Sequence, residues 1–175
     1  MQLNDLEFEL YLSEKEIVAR INKLSKLINH DYKDKKPLFI PILNGSFIFA
    51  SDLIKKVNLE CNISFVKIAS YSKMESTGNL KELIGINENV FGRDIIIVED
   101  IIDSGKTIEN LINKLKELGP KSVELASLLV KKDNLETSVN IKYLGFEIPN
   151  KFVVGYGLDY DGIGRNLTSI YQVKS

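Results

Sequence analysis

The chain has 175 residues, 44% of them apolar and 27% charged, with 11 Gly and 4 Pro, a composition that excludes disordered or low-complexity sequence. Surface scaling for this length buries about 70% of the unfolded surface, enough for a full core in one domain, residues 1–175. Twenty-three Lys and Arg against 24 Asp and Glu leave a net charge of −1, too balanced for bulk attraction to nucleic acid or an anionic membrane, so an anionic ligand must be met by a local arrangement.

The opening MQLNDLEFEL is acidic and lacks the basic start of a leader. No later run approaches the ~20 apolar residues of a membrane span, so a cytoplasmic protein is expected. Ser13 and Glu16 form an S-x-x-E capping box, and Ile17, Val18, Ile21, Leu24 and Ile28 follow at helical spacing, which predicts an amphipathic helix from 13 to about 30. The single histidine, His30, falls near that helix's end and reads as a helix-end or surface group. Acid–base chemistry is then left to carboxylates or lysines.

KKPLFIPIL reads as a strand buried on both faces, and after Asn44-Gly45 the segment Phe47 to Val57 reads as a helix. The single cysteine, Cys61, has no partner for an internal disulfide or metal site and reads as inert core or edge. Residues 62–70 form a second β-rich run. The polar stretch SYSKMESTGNLK after it reads as a long loop of the kind that carries function.

IIIVE, residues 95–99, is the most strongly β-branched run, and it gives way to Asp100 and then Asp103-Ser104-Gly105-Lys106-Thr107. Ile108, Leu111, Ile112, Leu115 and Leu118 mark a helix stopped by Gly119-Pro120. SVELASLLV, KFVVGYGLDY and a terminal SIYQV read as further strands. Alternation of β and α elements predicts an α/β fold with a mostly parallel central sheet flanked by helices. Ligands in such sheets bind beyond the carboxyl ends of the strands, where Glu99, Asp100 and the Gly105 turn lie.

Gly105-Lys106-Thr107 invites comparison with an NTPase phosphate loop, but the glycine that motif needs five residues earlier is Asp100. What remains is a turn of backbone N–H groups opening into a helix N-terminus, suited to one phosphate monoester. The carboxylates Glu99, Asp100 and Asp103 beside it would grip neutral hydroxyls, hold a divalent cation or take a proton. They could equally form a solvated turn that caps the helix.

The stretch IIIVEDIIDSGKT resembles the phosphoribosyl-pyrophosphate motif of type I phosphoribosyltransferases: an apolar strand, E/D-D, two apolar residues, then D-[ST]-G-x-T. PILNGSFIFASDLI, the loop SYSKMESTGNLK, LLVKK and GFEIPNKFVVGYGLDYDGIGRNL resemble, in order, blocks of the hypoxanthine-guanine phosphoribosyltransferases. The resemblance spans most of residues 38–171. It implies an enzyme of purine salvage that moves the 5-phosphoribosyl group of phosphoribosyl pyrophosphate to a 6-oxopurine, with Mg²⁺ as cofactor. It also implies the family's central sheet, a small hood built from the N- and C-terminal segments, and assembly as a homodimer or homotetramer.

Residue by residue, the resemblance implies that the backbone of Asp103, Ser104, Gly105, Lys106 and Thr107 cradles the 5′-phosphate. Glu99 and Asp100 would hold the ribose hydroxyls, directly or through Mg²⁺, and Asp103 would be the general base. A helix N-cap is the other reading of Asp103, and the two are compatible. Lys131 would read the six-oxygen of the purine, rejecting adenine because an ammonium carries only donors. Phe152 would stack on the base, the backbone of Val153 would bond its edge, and Asp159 would line the purine site and hold a second Mg²⁺. Asn44, Gly45 and Arg165 would bind pyrophosphate, with a cis peptide expected at Leu43–Asn44. Many relatives carry a basic residue where Asn44 stands, which shifts charge contact toward Arg165. Ser70 and Tyr71 match the pair that opens the family's closing loop. A xanthine-preferring enzyme and a non-catalytic regulator of the same fold are the alternative readings.

Overall fold

In this computed structural model, which describes residues 1–69, 81–84 and 88–174, the chain starts with β1 (Gln2–Leu3), β2 (Leu6–Leu12), α1 (Glu14–Asp31), β3 (Leu38–Leu43) and α2 (Phe47–Ile54). β4 (Asn62–Ile63), β5 (Val66–Ala69), β6 (Lys81–Ile84), β7 (Asp94–Ile102) and α3 (Lys106–Glu117) follow. Then come β8 (Ser122–Lys131), a 3₁₀ turn over Lys132–Asn134, β9 (Tyr143–Ile148), β10 (Val153–Val154) and β11 (Ile170–Val173).

The larger sheet has the order β6-β5-β3-β7-β8-β9, with β4 also paired to β3. Its pairings are parallel except for β5 with β6. Side chains alternate across this sheet, so Phe39, Ile96, Val98, Ala126 and Leu128 pack under α1 and α2. Leu38, Ile40, Ile95, Ile97 and Leu125, from the same strands, pack against Ile108, Leu111 and Leu115 of α3. Burial of each such side chain contributes about 1.5–3 kcal/mol relative to exposure. That is why these strands read as continuous apolar runs rather than alternating ones.

α1 starts where its capping box dictates: Ser13 Oγ accepts from the Glu16 N–H, and Glu16 Oε2 accepts from the Ser13 N–H at 2.9 Å. Ile17, Ile21, Leu24 and Ile28 form its buried stripe. α3 ends at the expected place, with Gly119 in the left-handed region at φ 71°, a conformation that a residue without Cβ takes at little cost. His30 is exposed at the end of α1, and Cys61 is half-buried at the start of β4.

Several boundaries differ from the sequence expectations. α2 ends at Ile54, short of Val57. The run 62–70 is split between β4 and β5. β7 runs through Glu99 and Asp100 to Ile102, so these carboxylates lie within the strand rather than after it. KFVVGYGLDY keeps only two strand residues, because Gly155, Tyr156 and Gly157 all have positive φ and turn the chain out of the ladder. β1, β2, β6 and β9 have no counterpart among the expected strands.

The second sheet is antiparallel, in the order β1-β2-β11-β10. Phe8 of β2 faces Val173 of β11, so the N- and C-terminal segments build one small layer, as the expected hood requires. No helix among the described residues is long and apolar enough to cross a membrane.

Candidate functional site

Because β3, β7 and β8 are mutually parallel, their carboxyl ends share one edge of the sheet. Three expected site segments therefore meet there: Asn44-Gly45 after β3, Glu99 to Thr107 across the end of β7, and Lys131 at the end of β8. A pocket of about 330 Å³ opens at this edge, lined by Glu99, Asp103, Ser104, Gly105 and Thr107 with Ile42 and Ile108.

The turn in its floor is built around Gly105, the N-cap residue of α3, at φ 83° and ψ −13°. Gly105 has no side chain to cap the helix, so beyond the Lys106 N–H, which donates to Ser104 Oγ at 3.5 Å, the N–H groups of the first turn face an open site, the condition for anion binding. Asp103 is not the N-cap of α3, because Gly105 takes that place. Its carboxylate instead accepts from Lys131 Nζ at 3.0 Å on Oδ2 and from Asn134 Nδ2 at 2.7 Å on Oδ1. Burial alone would raise the Asp103 carboxyl, but the Asn134 amide and the Lys131 ammonium outweigh it and hold the group below its ordinary range. Lys106, whose backbone N–H goes to Ser104 Oγ, pairs its ammonium with Glu136.

Glu99 and Asp100 are both buried. The Asp100 N–H donates to Glu99 Oε1 at 3.0 Å, and the Ile101 N–H donates to Asp100 Oδ1 at 2.9 Å. Burial, and then the neighbouring Asp100 carboxylate, push the Glu99 carboxyl well above its usual range. Among the described residues no Lys or Arg pairs with either carboxylate. Two adjacent hard oxygen donors short of positive charge suit a small divalent cation that takes its remaining ligands from water and substrate oxygens. No group of three His, Cys, Asp or Glu side chains placed to hold a metal is found among the described residues.

On the other flank the Leu43–Asn44 peptide is cis. Gly45 is wedged between Asp100, whose carboxylate a Cβ would overlap, and Gly157, where a Cβ would meet Gly45 O. One bond ties the loop after β10 to α2, and two brace the loop internally. Arg165 Nη1 donates to Gly157 O at 2.7 Å, the Gly157 N–H donates to Arg165 O at 2.9 Å, and Tyr156 Oη donates to Asp52 Oδ2 of α2 at 2.5 Å. Arg165 Nη2 also pairs with Asp159 Oδ1 at 2.6 Å, while Asp159 Oδ2 accepts from the Gly162 N–H at 2.8 Å. Asp159 and Arg165, read from the sequence as separate ligands, thus engage each other.

Phe152 is 43% exposed, with its ring edge-on to Tyr160 at 5.5 Å and tilted to Phe8 at 6.2 Å. Val153 lies beside it in β10, paired to Gln172. Tyr160 Oη bonds Asp5 near the N-terminus, so the N-terminal strands brace this aromatic group. Ser70 and Tyr71 lie outside the described residues. Sequence reading missed Asn134, Asp52 and Tyr156; only the G-Y-G spacing at 155–157, a signal for positive φ, pointed toward that turn.

A family model described as a phosphoribosyl transferase domain matches residues 9–161. The chain is 39% identical over 171 residues to the hypoxanthine-guanine phosphoribosyltransferase of Dictyostelium discoideum, covering 95% of each chain. It is likewise 39% identical over 168 residues to the hypoxanthine phosphoribosyltransferase of Buchnera aphidicola, covering 94% of this chain and 95% of the other. A crystal structure of a hypoxanthine-guanine phosphoribosyltransferase from Bacillus anthracis superposes with a TM-score of 0.90 at 33% identity, covering 97% of this chain and 100% of that one.

Proposed function

The chain belongs to the phosphoribosyl transferase domain family, and from that premise we propose how this site carries out purine salvage, the transfer of 5-phosphoribosyl to hypoxanthine or guanine. The observation that carries the reading is the meeting of an uncapped anion-binding turn, a buried carboxylate pair and the Lys131–Asp103 contact at one sheet edge. In the reaction the bond from ribose C1 to the pyrophosphate oxygen breaks and a bond from C1 to a purine imidazole nitrogen forms. The proton on the purine goes to a base, and the products are the nucleoside monophosphate and pyrophosphate.

The backbone N–H groups of residues 103–107, with the Ser104 and Thr107 hydroxyls, hold the 5′-phosphate and fix the unreactive end of the sugar. Glu99 and Asp100 grip the ribose hydroxyls, and their negative charge favours the positive charge that develops on the ring as pyrophosphate leaves. Those two residues would also hold Mg²⁺, which when bound supplies positive charge to pyrophosphate oxygens. The Asp159 carboxylate, engaged by Arg165 and Gly162, supports a second ion less well. Gly45, Asn44 and Arg165 receive the pyrophosphate, with the Arg165 guanidinium offering the N–H donors that remain beside its bonds to Gly157 O and Asp159.

Asp103 takes the purine proton, Lys131 donates to the six-oxygen, Phe152 covers the base plane and the Val153 backbone bonds its edge. Ser70 and Tyr71 would close over the site and exclude water. The enzyme acts as one domain, in the cytoplasm, as a homodimer or homotetramer, with no nucleic-acid or membrane partner. The names of the relatives, hypoxanthine and hypoxanthine-guanine phosphoribosyltransferase, favour this reading over a xanthine-preferring enzyme or a regulator.

The test is nucleotide formation from phosphoribosyl pyrophosphate and Mg²⁺ with hypoxanthine, guanine, xanthine, adenine and orotate in parallel. Hypoxanthine or guanine is expected to react and adenine to fail. No nucleotide from any 6-oxopurine would overturn the reading.

A further inference from the structure

The connection after β8 lies along the phosphate turn and meets four successive residues of it. Asn134 Nδ2 donates to Asp103 Oδ1 at 2.7 Å, and the Glu136 N–H donates to Ser104 O at 3.0 Å. Thr137 Oγ1 stands over Gly105, where a Cβ would overlap it, and Glu136 pairs with the Lys106 ammonium. The strap begins directly after Lys131, so the segment that shapes the phosphate turn also carries the proposed purine reader.

Within that strap Lys131 has two claims on one ammonium. In the structure it donates to Asp103 Oδ2, with its own side chain only 12% exposed. A purine whose six-oxygen takes up the Lys131 ammonium draws that donor away from Oδ2, and Oδ2 is then the oxygen left free to accept a proton. A carboxylate released on one side still needs a fixed orientation, and Asn134 grips the other oxygen, Oδ1.

We propose that Asn134 is a positioning residue for the transfer reaction, holding Asp103 by Oδ1 so that Oδ2 faces the purine once Lys131 has turned to the base. The inference rests on Asp103 being the general base. An amide suits the task because it donates to a carboxylate oxygen and fixes its direction without bringing a charge of its own, although its hydrogen bond also helps to hold Asp103 low. The 3₁₀ turn over Lys132–Asn134 fixes the distance from Lys131, so the two donors approach Asp103 from one short segment. Loss of the Asn134 donor lets the carboxylate rotate about its own bond, and misalignment of a base is felt in turnover more than in ground-state binding of the sugar phosphate.

The experiment compares Asn134→Asp, Asn134→Ala and Asn134→Gln with Asp103→Asn in the full chain, measuring kcat and both KM values with hypoxanthine. Asn134→Asp keeps the shape, loses the donor and sets a like charge against Asp103, whereas Asn134→Ala loses the donor without that charge. The expected result is a fall in kcat of about 10-fold or more in Asn134→Asp and Asn134→Ala, with the KM for phosphoribosyl pyrophosphate within about two-fold. Asn134→Gln, which restores an amide donor, should recover part of the loss. Wild-type kcat in Asn134→Asp alongside a slow Asp103→Asn overturns the role of Asn134 alone. Wild-type kcat in Asp103→Asn overturns the general-base reading and this proposal with it. Equal losses in kcat and in affinity for phosphoribosyl pyrophosphate, without recovery in Asn134→Gln, would make Asn134 merely structural and also overturn it.

Discussion

The Gly45 backbone lies against the Asp100 carboxylate with no room for a side chain, because a methyl group built on Gly45 would overlap Asp100 Oδ2. Gly45 O in turn fills the space where Gly157 would carry its own Cβ. Carboxylate, glycine and glycine thus form a close stack between the ribose side of the site and the Arg165 loop.

Gly45→Ala is therefore expected to displace Asp100 or the loop rather than be absorbed. Overpacking of this kind costs about 1–3 kcal/mol of stability. The KM for phosphoribosyl pyrophosphate should rise by roughly 10-fold or more, since positioning losses of this size follow small displacements. Thermal denaturation and steady-state kinetics check both, and a variant with wild-type KM would remove Gly45 from the site.

Asp103→Asn should lose roughly 10²-fold or more in turnover if the carboxylate takes the purine proton. The wild-type pH profile carries a second check. Asp103 is held below its ordinary range, with burial outweighed by Asn134 and Lys131, so it stays ionised through neutral and mildly acid conditions. Its contribution to the rate falls only as the pH drops through that lowered value. An acid limb near about pH 6 that vanished in Asp103→Asn would contradict this.

Lys131→Ala should weaken use of 6-oxopurines far more than binding of phosphoribosyl pyrophosphate. The ammonium offers donors only, and its removal leaves the six-oxygen unpaired in the bound complex. Measuring the two KM values separately distinguishes the roles, because equal losses in both would make Lys131 a structural lysine.

The bond from Tyr156 Oη to Asp52 Oδ2 at 2.5 Å ties the Gly157 turn to α2. Tyr156 is buried, and Tyr156→Phe should cost about 1.5–3 kcal/mol, the range for hydrogen bonds to charged groups. Burial raises the Asp52 carboxyl, but Lys55 and Tyr156 outweigh it and leave it lowered. A lowered folded value gives stability that is present above the unfolded value of about 3.9 and lost as pH falls through the folded one. The stability gap between wild type and Tyr156→Phe, read from denaturant unfolding, should therefore narrow in acid and hold at neutral pH. A gap independent of pH would mean that Asp52 is not the partner that matters.

The strand, turn and helix from Ile95 to Leu118 were legible because local chemistry dictates them: β-branched residues, then a glycine turn, then a 3.6-residue apolar period. The capping box at Ser13 and Glu16 was legible for the same reason. What escaped depends on partners far along the chain. Phe8 and Glu9 sit opposite Val173 and Gln172, and no local pattern at residues 6–12 announces a partner at that distance. The boundary at Asp100 escaped because β8 continues alongside β7 as far as Val130, so pairing with a neighbour extended a strand past its apolar run. Asn134 sits in a polar connection with no period or motif. Its place beside Asp103 follows from the parallel register of β7 and β8, which only the folded sheet reveals.

That pairing of β2 with β11 also sets an order of events during synthesis. A nascent chain possesses every strand of the larger sheet, and with it the phosphate turn, once Tyr143–Ile148 has emerged. Residues 6–12, made before that sheet, have no strand of the smaller sheet beyond their own hairpin to join until Ile170–Val173 arrives. Closing so long a loop is slow compared with local contacts. The half of the site carried by the larger sheet is therefore ready early, while the aromatic wall around Phe152 waits for Ile170–Val173.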